Sequence, residues 1–419
     1  PRHLVLRAYL AAEGDSFAFM PGGLTRVSAS ADTRVVSMQR GGGSKDTWVL
    51  SAGPVSNFSL LRSGALPVEL TRGGSDLPSR VADNLYWLGR YAERAEGLTR
   101  LLRCVLVRLT ETSGLTDVPE LPLLLRTATR LTESYPGFIG DGAAGRLAAP
   151  ENELLALIHD TRRPGSLASV LGHLSNVAGM VRDRISTDMW RVLRDLGRVR
   201  RSQGFFAHGG DGPPNGDRRT LSAELDLLDG TVLTLAAFGG LAMESVTRGE
   251  GWRFLDMGRK LERALHTIGI VRWTLTSPPN PEGPVLEAIL EIADSAMTYR
   301  RRYQRSPQAV AVLDLLLADE TNPRSLAFQL AALADDVEHL PRDASRPGRT
   351  PEERLMLSSL TMLRLAEVRQ LAGLDECGGR PALDDLLGRL ASALPALSDA
   401  LTHTYLSHLQ TSRHLAALE

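Results

Sequence analysis

One pattern of seven residues occurs twice in this chain, far apart, in two stretches that both have helical periodicity. The segments 89–95 and 258–264 both read Gly-Arg-x-x-Glu-Arg-Ala. Because residues three and four apart lie on one face of a helix, the two arginines and the glutamate of each copy share a face. Two guanidiniums against one carboxylate leave surplus positive charge. The recurrence therefore predicts that the two faces meet each other, or a shared anionic partner, in a partly dry place.

Two interpretations of the repeat stay open. The favoured one is an interlocked ionic cluster that ties two helices together, and the alternative is a pocket for a carboxylate or phosphate. A pocket with a strongly perturbed carboxylate pKa at Glu93 or Glu262 would favour a separate enzyme, whereas a fully satisfied, closed ion network would favour an accessory or scaffold module. Four side chains farther along the chain could join either arrangement. The candidate residues are Arg90, Glu93, Arg94, Arg259, Glu262, Arg263, Tyr299, Arg300, Asn322 and Arg324.

Composition and charge narrow the class of protein. With 419 residues, 43% of them hydrophobic, the chain can bury a large core and is expected to hold two or three domains. The formal net charge of -1 argues against nucleic acid as a partner, since such proteins usually carry a basic excess. The longest mostly apolar run, 231–243, is short for a bilayer span, and the first residues show no signal-peptide pattern. We expect no membrane partner and a cytoplasmic location.

The sequence offers no pattern for a metal site. Its two cysteines, Cys104 and Cys377, are far apart and lack a histidine at ligand spacing. His403, His408 and His414 are spaced five and six apart, which scatters them around a helix. We expect no bound metal. The acidic pairs 335–336 and 352–353 are expected to lie on solvated helix faces.

From Ser79 onward the pattern is helical, with an Asn322-Pro323 start signal among its caps. The sequence predicts a mainly α fold of many helices, with those at 79–112 and 252–275 side by side. The other predicted helices cover 117–134, 151–162, 166–197, 220–247, 284–304, 307–318, 322–337, 351–372 and 381–417.

The amino-terminal segment has the pattern of β-strands rather than of helices. Residues 3–50 carry β-forming runs at 4–10, 17–20, 34–38 and 47–50, with a turn at 13–15. Two glycine-rich strings, 20–26 and 41–46, are interpreted as hairpin turns or, alternatively, as a loop at the edge of a substrate site. The expected organisation is a β-rich segment at 1–62, a linker at 63–78 and a helical domain at 79–419.

Two resemblances cover nearly the whole chain. The string Leu-Tyr-Trp-Leu-Gly-Arg-Tyr-Ala-Glu-Arg-Ala-Glu at 85–96 resembles the opening of the bacterial alpha-E domain, and the strings at 251–264, 299–303 and 315–328 continue that likeness. Residues 1–62 are similar to the carboxy-terminal end of circularly permuted ATP-grasp proteins, through Met-Pro-Gly-Gly-Leu-Thr-Arg and Gly-Gly-Gly-Ser-Lys-Asp-Thr-Trp-Val.

The resemblances imply the back part of a fused ligase, with an upstream ATP-grasp domain as partner. ATP-grasp proteins activate a carboxylate as an acyl phosphate and couple it to an amine, so ATP and Mg are implied for the complete domain and no cofactor for this chain alone. The implied function is a helical accessory module that positions a peptide or acidic substrate. An independent enzyme or anion-binding domain is the alternative. The positions in the ligase motifs are Arg7, Arg26, Lys45 and Asp46. The cationic groups among them could offset phosphate charge during acyl-phosphate formation, or the charged groups could form a sheet-edge ion pair.

Overall fold

The computed structural model describes residues 2–13, 16–19, 22–28, 30–31, 36, 42–50, 53, 77–111, 118–202, 218–342 and 348–406. The chain divides into two compact units, Pro1–Arg72 and Gly73–Glu419. The first contains short strands and the second is helical. The molecule is therefore mainly α, with a small antiparallel sheet in its amino-terminal unit.

The amino-terminal unit holds five described strands: β1 (Leu4–Leu6), β2 (Leu10–Glu13), β3 (Ser16–Phe19), β4 (Gly23–Val27) and β5 (Gly43–Thr47). Strands β1, β4 and β5 form one antiparallel sheet in that order, and β2 pairs with β3 in a second.

The described parts of the two glycine-rich strings lie mostly in strands rather than in turns. Each contributes a strand, and the two strands pair with each other so that Thr25 lies opposite Lys45. Gly22, with φ of 126°, adopts the conformation that favours glycine just before β4 begins. The β-formers at 47–50 contribute only Thr47 to a strand, and most of the predicted strand 34–38 lies outside the described residues.

The helical unit contains fifteen α-helices among its described residues. They are α1 (Ser79–Glu111), α2 (Leu121–Thr132), α3 (Ala143–Ala148), α4 (Glu151–His159), α5 (Leu167–Met180), α6 (Thr187–Ser202), α7 (Arg218–Glu244), α8 (Glu250–Leu275), α9 (Gly283–Ile292), α10 (Ala296–Tyr303), α11 (Ala309–Leu313), α12 (Leu326–Glu338), α13 (Pro351–Arg364), α14 (Val368–Leu371) and α15 (Pro381–Leu401). A 3₁₀ turn covers Arg182–Arg184, and π-helical turns cover Asp314–Ala318 and Thr402–Leu406.

Several predicted helices are shorter or divided because local capping overrides the apolar periodicity. The segment 166–197 divides at the 3₁₀ turn, and 284–304 divides at Asp294, whose φ of 52° is left-handed. Asn322 does not start α12. Ser325 does, because its hydroxyl accepts the backbone N–H of Phe328 at 3.0 Å. The short helix α3 lies in a stretch for which no helix is predicted.

Helices α1 and α8 lie side by side, as the repeat predicts. They run parallel, because Gly89 of α1 faces Leu255 of α8 and the later Gly97 faces the later His266. Helices α2, α5, α7 and α9 pack on α1, while α12 and α15 pack on α8. One buried core runs through the helical unit, with Tyr86 and Leu88 of α1 fully inside it. The repeated motif therefore sits at the centre of the helical unit.

Within the described residues, one helical stretch has the length and composition of a membrane span. It is Leu221–Glu244 of α7. Helix α7 packs on α1 and α6, as a core helix of a helical domain does.

Candidate functional site: a reciprocal ion network between two helices

The glycine of each repeat lets the two helix backbones touch. A Cβ added at Gly89 would lie 2.2 Å from the carbonyl oxygen of Leu255, and one at Gly258 would lie 2.1 Å from that of Tyr86. No side chain fits at either position without a backbone shift. The glycines therefore bring the Arg and Glu side chains of one helix within reach of the other.

Glu262 of α8 is held by both arginines of the first repeat. Arg94 donates through Nε to Oε1 at 2.6 Å and through Nη2 to Oε2 at 3.1 Å, and the Nε of Arg90 donates to Oε2. Arg90 also donates to the hydroxyl of Ser398 at 3.1 Å, which ties α15 to the network. The carboxylate has a guanidinium on each oxygen.

Glu93 of α1 is held in the same way by the second repeat. Arg259 donates through Nε to Oε1 at 2.9 Å, while Arg263 donates through Nε to Oε2 and through Nη2 to Oε1, both at 2.8 Å. Each glutamate thus takes the two arginines of the opposite helix. The two copies of the motif bind each other reciprocally, and both their carboxylates are satisfied.

The electrostatics of the network favour an ionised Glu262. Burial raises the pKa of Glu262, but Arg90 and Arg94 outweigh burial and hold that pKa below its ordinary value. Burial lowers the pKa of Arg90 and of Arg263, yet the facing glutamates leave both raised. A glutamate held charged in this way is a poor proton donor or acceptor near neutral pH. The arrangement is a closed structural ion cluster.

A second layer of charges lies one turn farther along α1, and the sequence reasoning did not identify it as a site. Glu96 accepts from Arg324 at 2.8 Å and from Arg100 at 2.9 Å, and Arg263 lies 3.7 Å away. Burial raises the pKa of Glu96, but these three arginines lower it to about 2. Arg100 and Arg324 also approach the exposed Asp294 at 3.2 and 3.5 Å. The i,i+4 spacing of Glu96 and Arg100 was the signal available in the sequence.

The comparison with protein families matches a model described as "Alpha-E: A predicted alpha-helical domain with a conserved ER motif" over residues 77–406. The chain belongs to the Alpha-E family. Two of its Glu-Arg dipeptides, 93–94 and 262–263, are the centres of the reciprocal network. Both dipeptides thus lie where α1 and α8 pack side by side.

The relatives of this Alpha-E chain carry no described activity. It is 31% identical over 416 residues to the uncharacterized proteins Mb2597 of Mycobacterium bovis and Rv2567 of Mycobacterium tuberculosis, covering 96% of this chain and 45% of each relative. It is 53% identical over 49 residues to the uncharacterized protein sll0335 of Synechocystis, covering 12% of this chain and 10% of that protein. The chain spans about half the length of the mycobacterial relatives. No solved structure matches it.

Of the four other candidate side chains of the Alpha-E domain, one joins the network. Arg324 does so through Glu96. Tyr299 is buried and accepts the backbone N–H of Gln308 at 3.0 Å. Asn322 donates to the carbonyl of Leu315 at 2.9 Å, which fixes the loop before α12, and Arg300 is exposed on α10.

The candidate residues of the amino-terminal unit lie on the three-stranded sheet or beside it. Arg7 follows β1, Arg26 lies on β4, and Lys45 and Asp46 lie on β5. All four are exposed. Because Lys45 pairs with Thr25 and side chains alternate along a strand, Lys45 projects from the opposite face to Arg26. The sheet therefore does not gather its cationic groups on one face.

Two acidic pairs expected on solvated faces lie partly inside the Alpha-E domain. Asp336, Glu352 and Glu353 are buried, while Asp335 is exposed. These charges are buried because α12 packs on α8 and on α13. Glu352 accepts from the hydroxyl of Tyr405 at 3.0 Å, and Glu353 completes a capping box with Thr350. The expectation of two solvated faces was wrong for three of the four residues.

Asp336 lies near a second buried carboxylate, Asp256 of α8. Arg253 donates to Asp336 at 3.2 Å, whereas Asp256 has Arg259 and Lys260 only at 3.9 and 4.0 Å. Burial, helped by the charge of Asp256, raises the pKa of Asp336 to about 7. Among the residues that the structure describes, no group of three His, Cys, Asp or Glu could hold a metal ion.

Proposed function

We propose that the Alpha-E domain is an accessory module of an ATP-dependent carboxylate–amine ligase of the ATP-grasp type, and that it positions a peptide or acidic substrate. The observation that carries this proposal is the closed network. Glu93 and Glu262 each take two guanidiniums, so neither is available as a general acid or base. The repeated motif stabilises the crossing of α1 and α8, which suits a scaffold better than an independent catalytic pocket.

The amino-terminal unit supports the association with a larger domain. Its small sheet exposes apolar side chains on both faces: Leu4 and Leu6 are 62% and 52% exposed on one face, and Val5 is 54% exposed on the other. A sheet with two apolar faces needs covering structure. We propose that an upstream ATP-grasp domain provides it, in line with the resemblance of residues 1–62.

ATP and Mg²⁺ would belong to that complete ATP-grasp domain. Among the described side chains of the amino-terminal unit, Asp46 alone carries a carboxylate, which is one of the several ligands that a Mg²⁺–nucleotide site needs. Arg7, Arg26, Lys45 and Asp46 are proposed only as a charged edge of the larger site. No catalytic step is assigned to them.

The test compares the chain alone with the chain fused to a complete ATP-grasp domain. We expect no ATP hydrolysis by the purified chain, and ADP release together with a new amide bond when the fused protein receives acidic peptides, followed by mass spectrometry. The matched control is the same ATP-grasp domain without the helical unit, which should release ADP with poor amide formation. ATP turnover by the chain alone, or amide formation that is unchanged without the helical unit, would overturn the proposal.

A further inference from the structure

A partly open cavity of about 40 Å³ lies beside the ion network, between α1, α8 and α9. Its lining has polar and apolar members. The polar lining includes Glu96, Arg100, Arg263, His266 and Arg324. The apolar lining includes Ile270, Val271, Ile289, Ile292, Ala293 and Leu316.

Guanidiniums outnumber buried carboxylates in the polar lining of the cavity. Arg100, Arg263 and Arg324 all approach Glu96, and the only other carboxylate lining the cavity, Glu93, is already held by the second repeat. Burial and the neighbouring arginines lower the pKa of Arg324. The nearby Asp294 is 57% exposed, so water screens much of its charge. The polar lining therefore carries an excess of positive charge that can attract an anion.

His266 provides an unused polar atom at the same place. Its Nε2 is buried and has no hydrogen-bond partner among the described residues. Gly97 makes room for the ring against α1, since a Cβ there would lie 2.7 Å from it. Burial lowers the pKa of His266 to about 4, so the ring is neutral at pH 7 and one tautomer carries a proton on Nε2. A buried polar atom without a partner costs stability that a bound ligand can recover.

We propose that this cavity binds the carboxylate of a short aliphatic acid, with Arg324 and Nε2 of His266 as donors and the isoleucines around its carbon chain. A volume of about 40 Å³ equals roughly three to four water-sized spaces, which fits a carboxylate with one or two carbons. The ligand is either a free acid or the carboxyl terminus of a peptide that ends in a small residue. This inference rests on the proposed function, because a module that positions an acidic substrate needs a place for its carboxylate.

The first experiment uses the unmodified chain and calorimetric titration at constant ionic strength. We expect saturable binding of propionate and none of propionamide, which has the same shape without the charge. A dipeptide of alanine with a free carboxyl terminus, compared with its amide, distinguishes the peptide source from the free acid. Binding of either carboxylate supports the site. Absence of both, or inorganic phosphate binding as tightly as propionate, would overturn it.

Two variants then locate the binding. His266→Phe keeps a ring in place and removes Nε2, and Arg324→Gln removes one cation while Arg100 stays on Glu96. Each should weaken propionate binding at least about tenfold. The matched control is His173→Phe, because His173 is exposed and stacks on Tyr91 away from the cavity lining. Unchanged affinity in both test variants would overturn the assignment. Binding can fail while the fused ligase still depends on the helical unit, so the two proposals are separable.

Discussion

Helix α8 contributes one buried carboxylate to each of two pairs, Glu262 with Glu93 of α1 and Asp256 with Asp336 of α12, and the surroundings of the two pairs differ. Glu262 of the network has two guanidiniums within 3.1 Å of its oxygens, as its counterpart Glu93 has from the other repeat. Asp336 has one cationic nitrogen at 3.2 Å, and Asp256 has cationic nitrogens only at 3.9 and 4.0 Å. Each aspartate also has a buried oxygen without a partner among the described residues. The pKa of Glu262 is lowered, whereas that of Asp336 is raised to about 7. Burial is common to both pairs, so the number and closeness of guanidiniums decide the charge state.

The comparison also separates two roles that a buried carboxylate can have. A doubly paired carboxylate is committed to holding two helices in one register. A carboxylate that is neutral at mildly acidic pH and charged above pH 7 can respond to its environment. In this molecule the repeated motif belongs to the first kind, and Asp336 to the second.

The largest expected effect on stability comes from removing a carboxylate of the doubly paired kind. Glu262→Ala leaves Arg90, whose side chain is 9% exposed, without its carboxylate. We expect a loss of about 3–5 kcal/mol in the free energy of unfolding, measured by urea denaturation, because a buried charge is left uncompensated. Glu338→Ala, at an exposed position on α12, is the matched control and should change stability by less than about 0.5 kcal/mol. A loss below about 1 kcal/mol for Glu262→Ala would contradict a buried network.

The second prediction concerns the poorly paired Asp336 and the way in which it makes stability depend on pH. Below about pH 3 Asp336 is protonated in both the folded and unfolded states, since its ordinary pKa is 3.8. As the pH rises towards 7 the unfolded chain releases this proton first, so the contribution of Asp336 to stability is lost over that range. Asp336→Asn keeps the group neutral. At about pH 8 the variant should be more stable than the wild type, by at most about 4 kcal/mol, and the difference should vanish below about pH 3.

The control for this prediction is the neighbouring Asp335, whose side chain is 67% exposed. Asp335→Asn should show no comparable dependence on pH. Urea denaturation of the three proteins at a series of pH values provides the measurement. If Asp336→Asn is less stable than the wild type at about pH 8, the carboxylate is paired there, and the contrast with Glu262 disappears.

The sequence predicted the ion network of the repeated motif much better than the burial of Asp336. A repeated motif with helical spacing indicates that its two faces meet, and the structure places α1 and α8 side by side with those faces in contact. Asp335 and Asp336 look alike in the sequence, yet one is exposed and the other buried. The packing of α12 on α8 decides that difference, and no local pattern encodes it. Likewise, Asn322-Pro323 satisfies the rule for a helix start, but a tertiary bond from Asn322 to Leu315 holds it in a loop.

The smallest expected effect distinguishes the two arginine positions within the network. The side chain of Arg94 is 40% exposed, and Glu262 keeps Arg90 without it, so Arg94→Ala should cost only about 1 kcal/mol. Arg263 is 16% exposed and serves both Glu93 and Glu96, so Arg263→Ala should cost about 2–3 kcal/mol. Thermal melts of both variants, with and without phosphate, provide the measurement. If the arginines instead bind an anion, both variants will melt at the wild-type temperature and lose a phosphate-induced stabilisation that the wild type shows. An unequal loss of stability that phosphate does not alter is the outcome that a closed network requires.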